Sequence, residues 1–331
     1  MPEILVVMPT WNGRHLLDGC LAALGAQACR DFEIVVVDNG STDGTVSWVH
    51  DRYPDVRVIA NDRNLGFALA VNQGIRASDS RYVVTLNNDA APEPDWLAAL
   101  VTAVESDPAV GMCASKMLFA DRPLIINSTG ICLDRAGIAW DRRGGEPDDG
   151  REAEPLEVFG PCGGAALYRR AMLDQVGLFD EDFFAYLEDV DLAWRARRAG
   201  WRCLYVPAAR VLHRHSATGI EGSPFKSYHL GRNKVWLIAK NYPFPAALAY
   251  LPLAIFYDLG TLPYRNMLHG DLSAIRGRVD ALRGWRVAWS KRGRVGGWPV
   301  QMSPLAGLGR VHQRVRHLSR QVHEPERHSC P

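Results

Sequence analysis

Four apolar runs, Ile4–Met8, Glu33–Val37, Val56–Ala60 and Tyr82–Leu86, fall within the first 86 residues and constrain the fold more than any other feature. They are rich in Val and Ile and scarcely alternate with polar residues. A strand with one wet face alternates, whereas a continuous run is covered on both faces. Between the runs, Leu16, Leu17, Leu21 and Leu24 recur at helical spacing, and Thr45–Tyr53 and Phe67–Ala77 read as further helices. Strand and helix in alternation predict an α/β fold: a mostly parallel sheet with helices on both faces.

Such sheets bind ligands beyond the carboxyl ends of their strands. Here those ends read Pro9-Thr10-Trp11-Asn12-Gly13, Asp38-Asn39-Gly40-Ser41-Thr42-Asp43-Gly44, Asn61-Asp62-Arg63-Asn64-Leu65-Gly66 and Asn87-Asn88-Asp89. Any one of them is ordinary turn and cap chemistry. Four on one edge predict a ligand cleft. No G-x-G-x-x-G follows a strand and no Gly-Lys pair exists, so dinucleotide-binding and P-loop chemistries are poor fits.

Further on, a helix is expected over Asp95–Glu105 and strands near Val110–Leu118 and Glu157–Arg169. Arg142–Pro155, rich in Gly, Pro and charge, reads as a mobile loop. Gly160-Pro161-Cys162-Gly163-Gly164 is small-residue backbone suited to close approach by a ligand. Glu188, Asp189 and Asp191 open a helix that runs to about Ala199 and stops at Gly200. Two readings of these acids stand side by side. Acids in a first turn favour the positive end of the helix dipole, and Asp191 with Arg195 is an i,i+4 pair. Alternatively, a general base is presented on a rigid helix end beside the apolar stretch Phe183–Leu187. Apolar surroundings raise a carboxylate pKa while the dipole lowers it, and the sequence leaves that balance open. His213 follows a strand-like run; a lone His is more often a satisfied polar side chain than a ligand.

The stretches VVMPTWNG, VVVDNGSTDGT, DRNLGFALAVNQGI, TLNNDA, GPCGGAALYRR and FDEDFFAYLEDVDLAWRARRAGW, followed by His213, together resemble glycosyltransferase family 2, of GT-A fold. The resemblance spans about residues 4–240, and NNDA, YLEDVDL and RNKVWLIAKNYP resemble its rhamnosyltransferase-like branch. It implies a catalytic domain over 1–240, with a nucleotide-binding half to about 118 and an acceptor-binding half after it. Pro9, Thr10, Asn12, Asp38, Arg63, Asn64, Gly66, Asn88 and Asp89 would then bind the donor nucleotide. Asp89 and His213 would hold Mg²⁺ or Mn²⁺, and Asp189 beside Glu188 would be the base. Gly163, Gly164, Asp191 and Trp194 would face the sugar or the acceptor. One departure matters: Asn87 stands where the family's D-x-D motif begins, and Asn offers the metal only a neutral oxygen.

The implied reaction is a single inverting displacement. A metal offsets the charge of the departing diphosphate. A carboxylate takes the proton of the attacking hydroxyl. L-Rhamnose from dTDP-rhamnose is the first expectation for the donor, and UDP-hexose or UDP-galactofuranose the alternative. The acceptor would be a surface glycan or its lipid-linked precursor. A non-catalytic membrane-docking protein of the same fold is the reading from another class. A processive synthase is a poor fit, because Q-x-x-R-W is missing.

The net charge of +1 conceals a division: residues 265–331 hold 13 Lys/Arg against 4 Asp/Glu, and the rest of the chain is net negative. Asn241–Tyr257 is uncharged, short for a span, and reads either as an interfacial segment or as a core helix. Leu272, Ile275, Val279 and Leu282 share a helix face, with Trp285 and Trp289 near it and Arg276 and Arg283 flanking. The extension 241–292 is therefore expected to be helical and to meet an anionic membrane, with a poorly ordered basic tail over 293–331. Nucleic acid would compete for such charge, but no nucleic-acid motif accompanies it. The N-terminus lacks a signal-peptide pattern, and seven Cys without a C-x-x-C pair fit reduced thiols. The expected location is the cytoplasm, peripheral on the membrane's inner face.

Overall fold

The four apolar runs become β1 (Ile4–Thr10), β2 (Phe32–Asp38), β3 (Arg57–Ala60) and β4 (Tyr82–Leu86), parallel and ordered β3-β2-β1-β4. The computed structural model describes residues 2–214, 223–243, 248–257, 271–292 and 303. The continuity of the runs has a simple cause. Leu5, Val7, Val35, Val37 and Val83 enter one core, with Ala68, Val71 and Ile75 of α3 (Phe67–Arg76). Ile4, Val6, Met8, Val36 and Val84 enter a second core on the opposite face. There they meet Leu17, Leu21 and Leu24 of α1 (Arg14–Gly25) and Trp96, Leu97 and Leu100 of α4 (Trp96–Glu105). Burying each such side chain is worth ~1.5–3 kcal/mol, so both faces drive the register. The short α2 (Thr45–Arg52) joins β2 to β3.

The sheet continues beyond β4 with a change of direction. β11 (Ala165–Arg169) lies antiparallel between β4 and β6 (Val110–Phe119), and β12 (Arg202–His213) runs parallel to β6. β5 (Ala90–Pro92) and β10 (Leu156–Val158) pair with β12, and β7 (Arg122–Ser128) with β6, making ten strands. β8 (Ile131–Leu133) and β9 (Ala139–Asp141) form a separate small pair. α5 (Arg170–Val176), α6 (Glu188–Arg198) and α7 (Pro224–Asn241) complete the body.

Two expectations differ from what is found. Glu157–Arg169 is two strands, because Phe159–Gly164 leaves the sheet as a loop before β11 begins. Arg142–Pro155, expected to be mobile, is pinned by its own charges. Arg142 pairs with Glu152, Arg143 with Asp149 at 2.9 Å, and Lys116 with Asp148 at 3.0 Å. Opposite charges spaced along a polar segment satisfy one another here as well as water would.

In the C-terminal region, α7 packs against a helix over Ser273–Arg283, whose small residues Ala274, Gly277 and Ala281 are buried. The large apolar residues lie outward: Leu272, Val279 and Leu282 are exposed, as are Trp285 and Trp289 of the following helix, Trp285–Ser290. Residues 248–257 are helical, with Ala254 and Tyr257 inward and Leu248, Leu251, Ile255 and Phe256 outward. No helix among the described residues is long and apolar enough to cross a membrane. The tail expected after residue 293 lies outside the described residues, apart from Ser303, whose N–H donates to the Leu133 carbonyl at 2.8 Å.

Candidate active site

Strand register gathers the polar loops. Thr10 pairs with Asp38, and Asp38 with Ala60, so β1, β2 and β3 end level. The Asp38 side chain is almost wholly buried; Oδ2 accepts from the Ser41 N–H at 2.9 Å, and Oδ1 has no partner among the described residues. A buried carboxylate oxygen without a donor is costly unless a ligand N–H completes it. Asn12, in the left-handed region at φ 49°, ties the first two loops: its N–H donates to Ser41 Oγ at 2.7 Å and its Oδ1 accepts from the Thr42 N–H at 2.8 Å. Thr10 Oγ1 accepts from Asn88 Nδ2 at 2.9 Å. Gly13 makes that pairing possible, since a Cβ there would stand 2.2 Å from Asn88 Nδ2.

The third loop is closed from within. Asn64 Oδ1 accepts from the Gly66 N–H at 2.9 Å, and Asn39 Nδ2 donates to the Gly66 carbonyl at 3.2 Å. Gly66 has φ 86°, and a Cβ would lie 2.6 Å from the Phe184 carbonyl, so only glycine fits. Arg63 of this loop is exposed, and Pro9 is half-buried beside Thr10.

β12 delivers His213 to the same edge. Its last residue pairs with Ala90 of β5, which sets the imidazole beside Asp89. His213 Nε2 and Asp89 Oδ1 lie 3.0 Å apart, and His213 Nδ1 is 2.9 Å from Asn127 Oδ1. Asn87 Nδ2 approaches His213 Nε2 at 3.4 Å. Among the described residues no three His, Cys, Asp or Glu side chains converge as a ready metal cage.

The Gly-rich loop reaches this edge because β11 is antiparallel: Ala165 pairs with Leu86, so Gly163 and Gly164 stand beside the end of β4. Gly163 N–H donates to Asp189 Oδ2 at 2.9 Å, and Val190 N–H to Asp189 Oδ1 at 2.8 Å. Burial pushes the Asp189 carboxyl up to about 6, against the pull of those two N–H groups, while the nearby Asp141 carboxylate adds to the rise. Glu188 is pushed further up by burial and by the charge of Asp189, and its Oε2 has no partner. The balance left open by the sequence thus falls to burial. Asp189 is half-buried with its carboxyl raised into the range that suits a general base, and Glu188 beside it is raised as well. Cys162 and Tyr168 also sense the Asp189 charge.

Two of the expected sugar-facing residues are not brought to this edge. Trp194 is fully buried, edge-on to Phe159 and to Tyr242 at centroid distances of 6.2 and 5.4 Å. Asp191 is fully buried, accepting from Lys240 Nζ and Arg195 Nε at 2.8 Å each and from Asn241 Nδ2 at 2.8 Å. Burial alone would raise its pKa, but the Lys240 and Arg195 cations hold it at about 2. Helix geometry gives the reason. At 100° per residue, positions two and five after Asp189 point away from it. Asn39, Asn127 and Asn233 take structural parts in the site that no local spacing announces, because their partners are distant in sequence.

A sheet of this order, with its polar loops on one edge, is the GT-A fold of nucleotide-sugar transferases. A mannosyltransferase from Pyrobaculum calidifontis, solved with GDP-Man and Mn²⁺, superposes with a TM-score of 0.53 at 20% identity, over 98% of this chain and 81% of that one. GalNAc-T7, solved with UDP, GalNAc and Mn²⁺, gives 0.59 at 18% identity over 87% and 56%. The profile of glycosyl transferase family 2 matches residues 5–177. An N-acetylglucosaminyl-diphospho-decaprenol L-rhamnosyltransferase of Mycobacterium tuberculosis is 33% identical over 253 residues, covering 69% of this chain and 82% of the relative. A pre-mycofactocin glycosyltransferase of the same species is 28% identical over 222 residues, covering 64% and 43%. The chain is a glycosyltransferase and belongs to glycosyl transferase family 2, on its rhamnosyltransferase-like side.

Proposed function

We propose that the chain is an inverting rhamnosyltransferase that moves L-rhamnose from dTDP-rhamnose to a hydroxyl of a glycan carried on a lipid diphosphate. The observation that carries this reading is the pairing of Asp189 with the Gly163 floor, on the edge where Asp38 keeps an open acceptor. The donor and acceptor classes draw support from the named activity of the mycobacterial relative.

In this reading the base N–H of thymine or uracil completes Asp38 Oδ1. Thr10, Asn12, Asn64 and Gly66 shape the wall around the nucleotide, with Asn88 on the ribose and diphosphate. Asp189 takes the proton of the acceptor hydroxyl as that oxygen attacks the anomeric carbon and the nucleoside diphosphate departs. The C1–oxygen bond to the diphosphate breaks as the new glycosidic bond forms, and the configuration inverts. Burial and the charge of Asp189 both push Glu188 toward its neutral form, which limits the negative charge beside the base.

The residues at the end of β12 fit a divalent ion. His213 sets Nδ1 against Asn127 Oδ1 and turns Nε2 toward Asp89 Oδ1, the outer-partner arrangement common to metal-binding His. Asp89 and His213 would hold Mg²⁺ or Mn²⁺, with diphosphate oxygens and water as further ligands. When bound, the ion would supply charge neutralisation for the departing diphosphate. Asn87 contributes at most a neutral oxygen.

The C-terminal helices would place this chemistry at an anionic membrane. Support comes from the outward Leu272, Val279, Leu282, Trp285 and Trp289 with exposed Arg276, Arg283 and Arg286 among them.

The test is nucleoside diphosphate release from a donor panel with a lipid-linked N-acetylglucosamine acceptor. Release from dTDP-rhamnose above all other donors is expected, abolished by EDTA and restored by Mg²⁺ or Mn²⁺. Preference for another donor would replace rhamnose, full activity in EDTA would remove the metal, and no release with any donor would favour the docking role.

A further inference from the structure

The chain enters α6 through an unusual turn. Phe184, Tyr186 and Leu187 have φ of 64°, 69° and 69°, and none is glycine. Left-handed backbone costs ~1–3 kcal/mol at each such residue, and it persists only where the surroundings over-determine it. The turn ends directly on Glu188 and Asp189.

What holds it is a single amide on α7. Asn233 is fully buried, and its Nδ2 lies 2.9 Å from the Phe183 carbonyl, 2.8 Å from Ala185 and 2.7 Å from Tyr186. Two amide hydrogens are thus shared among three carbonyls. Asn233 Oδ1 accepts from Arg232 Nε at 2.9 Å, and Arg232 Nη2 donates to the carbonyls of Asp182 and Phe183 at 2.8 and 2.9 Å. Two adjacent residues of one helix therefore satisfy four carbonyls of the turn. The His229 ring, also from α7, stacks on Phe184 at 5.2 Å. On its other side the turn touches the donor half: the Phe184 carbonyl accepts from the Ala68 N–H at 3.1 Å and packs on Gly66.

We infer that Asn233, supported by Arg232, is a positioning residue for the reaction: it holds the strained turn in the one conformation that presents Asp189 against Gly163. The inference rests on the reading of Asp189 as the base. A merely structural amide would hold α7 to the body and leave the chemistry of folded molecules untouched. A positioning amide sets where the carboxylate sits and how dry it is. Releasing the turn lets water reach Asp189, so its pKa falls toward the ordinary carboxylate value and the acid limb of turnover moves down.

The experiment compares the full-length wild type with Asn233→Ala and Arg232→Lys, each normalised to the fraction that binds nucleoside diphosphate. Asn233→Ala is expected to lower kcat about 10–100-fold, as a small misplacement of a reacting group does, with donor KM within about threefold. Its acid limb should move to lower pH. Arg232→Lys keeps the charge but loses the planar fork, and should shift both readouts in the same direction by less. It decides the matter if Asn233→Ala does not fold. Unchanged kcat per binding-competent molecule, or an unmoved acid limb, would overturn the inference. Absence of turnover in the wild type with every donor would instead overturn the proposed function.

Discussion

The backbone N–H of Gly163 donates to Oδ2 of Asp189 at 2.9 Å, fastening the loop before β11 to the first turn of α6. That bond joins two segments 26 residues apart and favours the ionised carboxylate, yet burial outweighs it and raises the Asp189 carboxyl to about 6.

Turnover should fall on the acid side with an apparent pKa near 6, because Asp189 must be ionised to accept the hydroxyl proton. A kcat–pH profile recorded with saturating donor reads this limb. A limb near 4 would mean that the base is an ordinary exposed carboxylate.

The same burial should tax stability. In the folded chain Asp189 titrates at about 6 rather than 3.8, so between those values the folded state binds more protons than the unfolded one. Its contribution is therefore intact below about pH 4 and declines as pH rises through 6, by about 1–3 kcal/mol. Thermal unfolding of Asp189→Asn against wild type should show a difference that shifts in favour of the variant from pH 4 to pH 8. A difference independent of pH would contradict the burial of this charge.

Gly13→Ala should weaken donor binding at least tenfold, since its Cβ would meet Asn88 Nδ2 at 2.2 Å and Thr10 Oγ1 at 2.6 Å. Gly19→Ala, in α1 just beyond Gly13 and with nothing within 4 Å, is the control and should leave affinity unchanged. Calorimetric titration with dTDP and UDP compares the two; equal affinities would remove the Thr10–Asn88 pair from the donor pocket.

Lys240→Met should destabilise the fold by about 3–5 kcal/mol, because it strips a buried cation from Asp191 and Asp180, each 2.8 Å from Lys240 Nζ. Urea unfolding measures this. A loss under 1 kcal/mol would show that Arg195 and Asn241 suffice for Asp191.

The first half of the fold was legible because burial on both faces writes an unbroken apolar run. Val35, Val36 and Val37 read as a central strand and are one. The polar strand ends were legible as a cleft because parallel order puts them all on one edge. The break at Phe159–Gly164 was not, since a short apolar stretch followed by glycines reads equally as one strand. The family resemblance implies Asp191 and Trp194 on the sugar side, although the 100° turn per residue directs them away from the face of Asp189. Asn233 and Asn127 left no local signal: the first acts on carbonyls 47–50 residues upstream, the second on a ring 86 residues away. Partners brought together only by the tertiary fold cannot be seen from spacing.

The most direct test of the central claim is single-turnover transfer from dTDP-rhamnose to a lipid-linked acceptor by wild type and Asp189→Asn, with dTDP affinity measured on the same samples. Loss of transfer by about a thousandfold or more, with dTDP affinity kept within threefold, is the result expected of a base that touches only the acceptor hydroxyl. Near wild-type transfer by Asp189→Asn would contradict it.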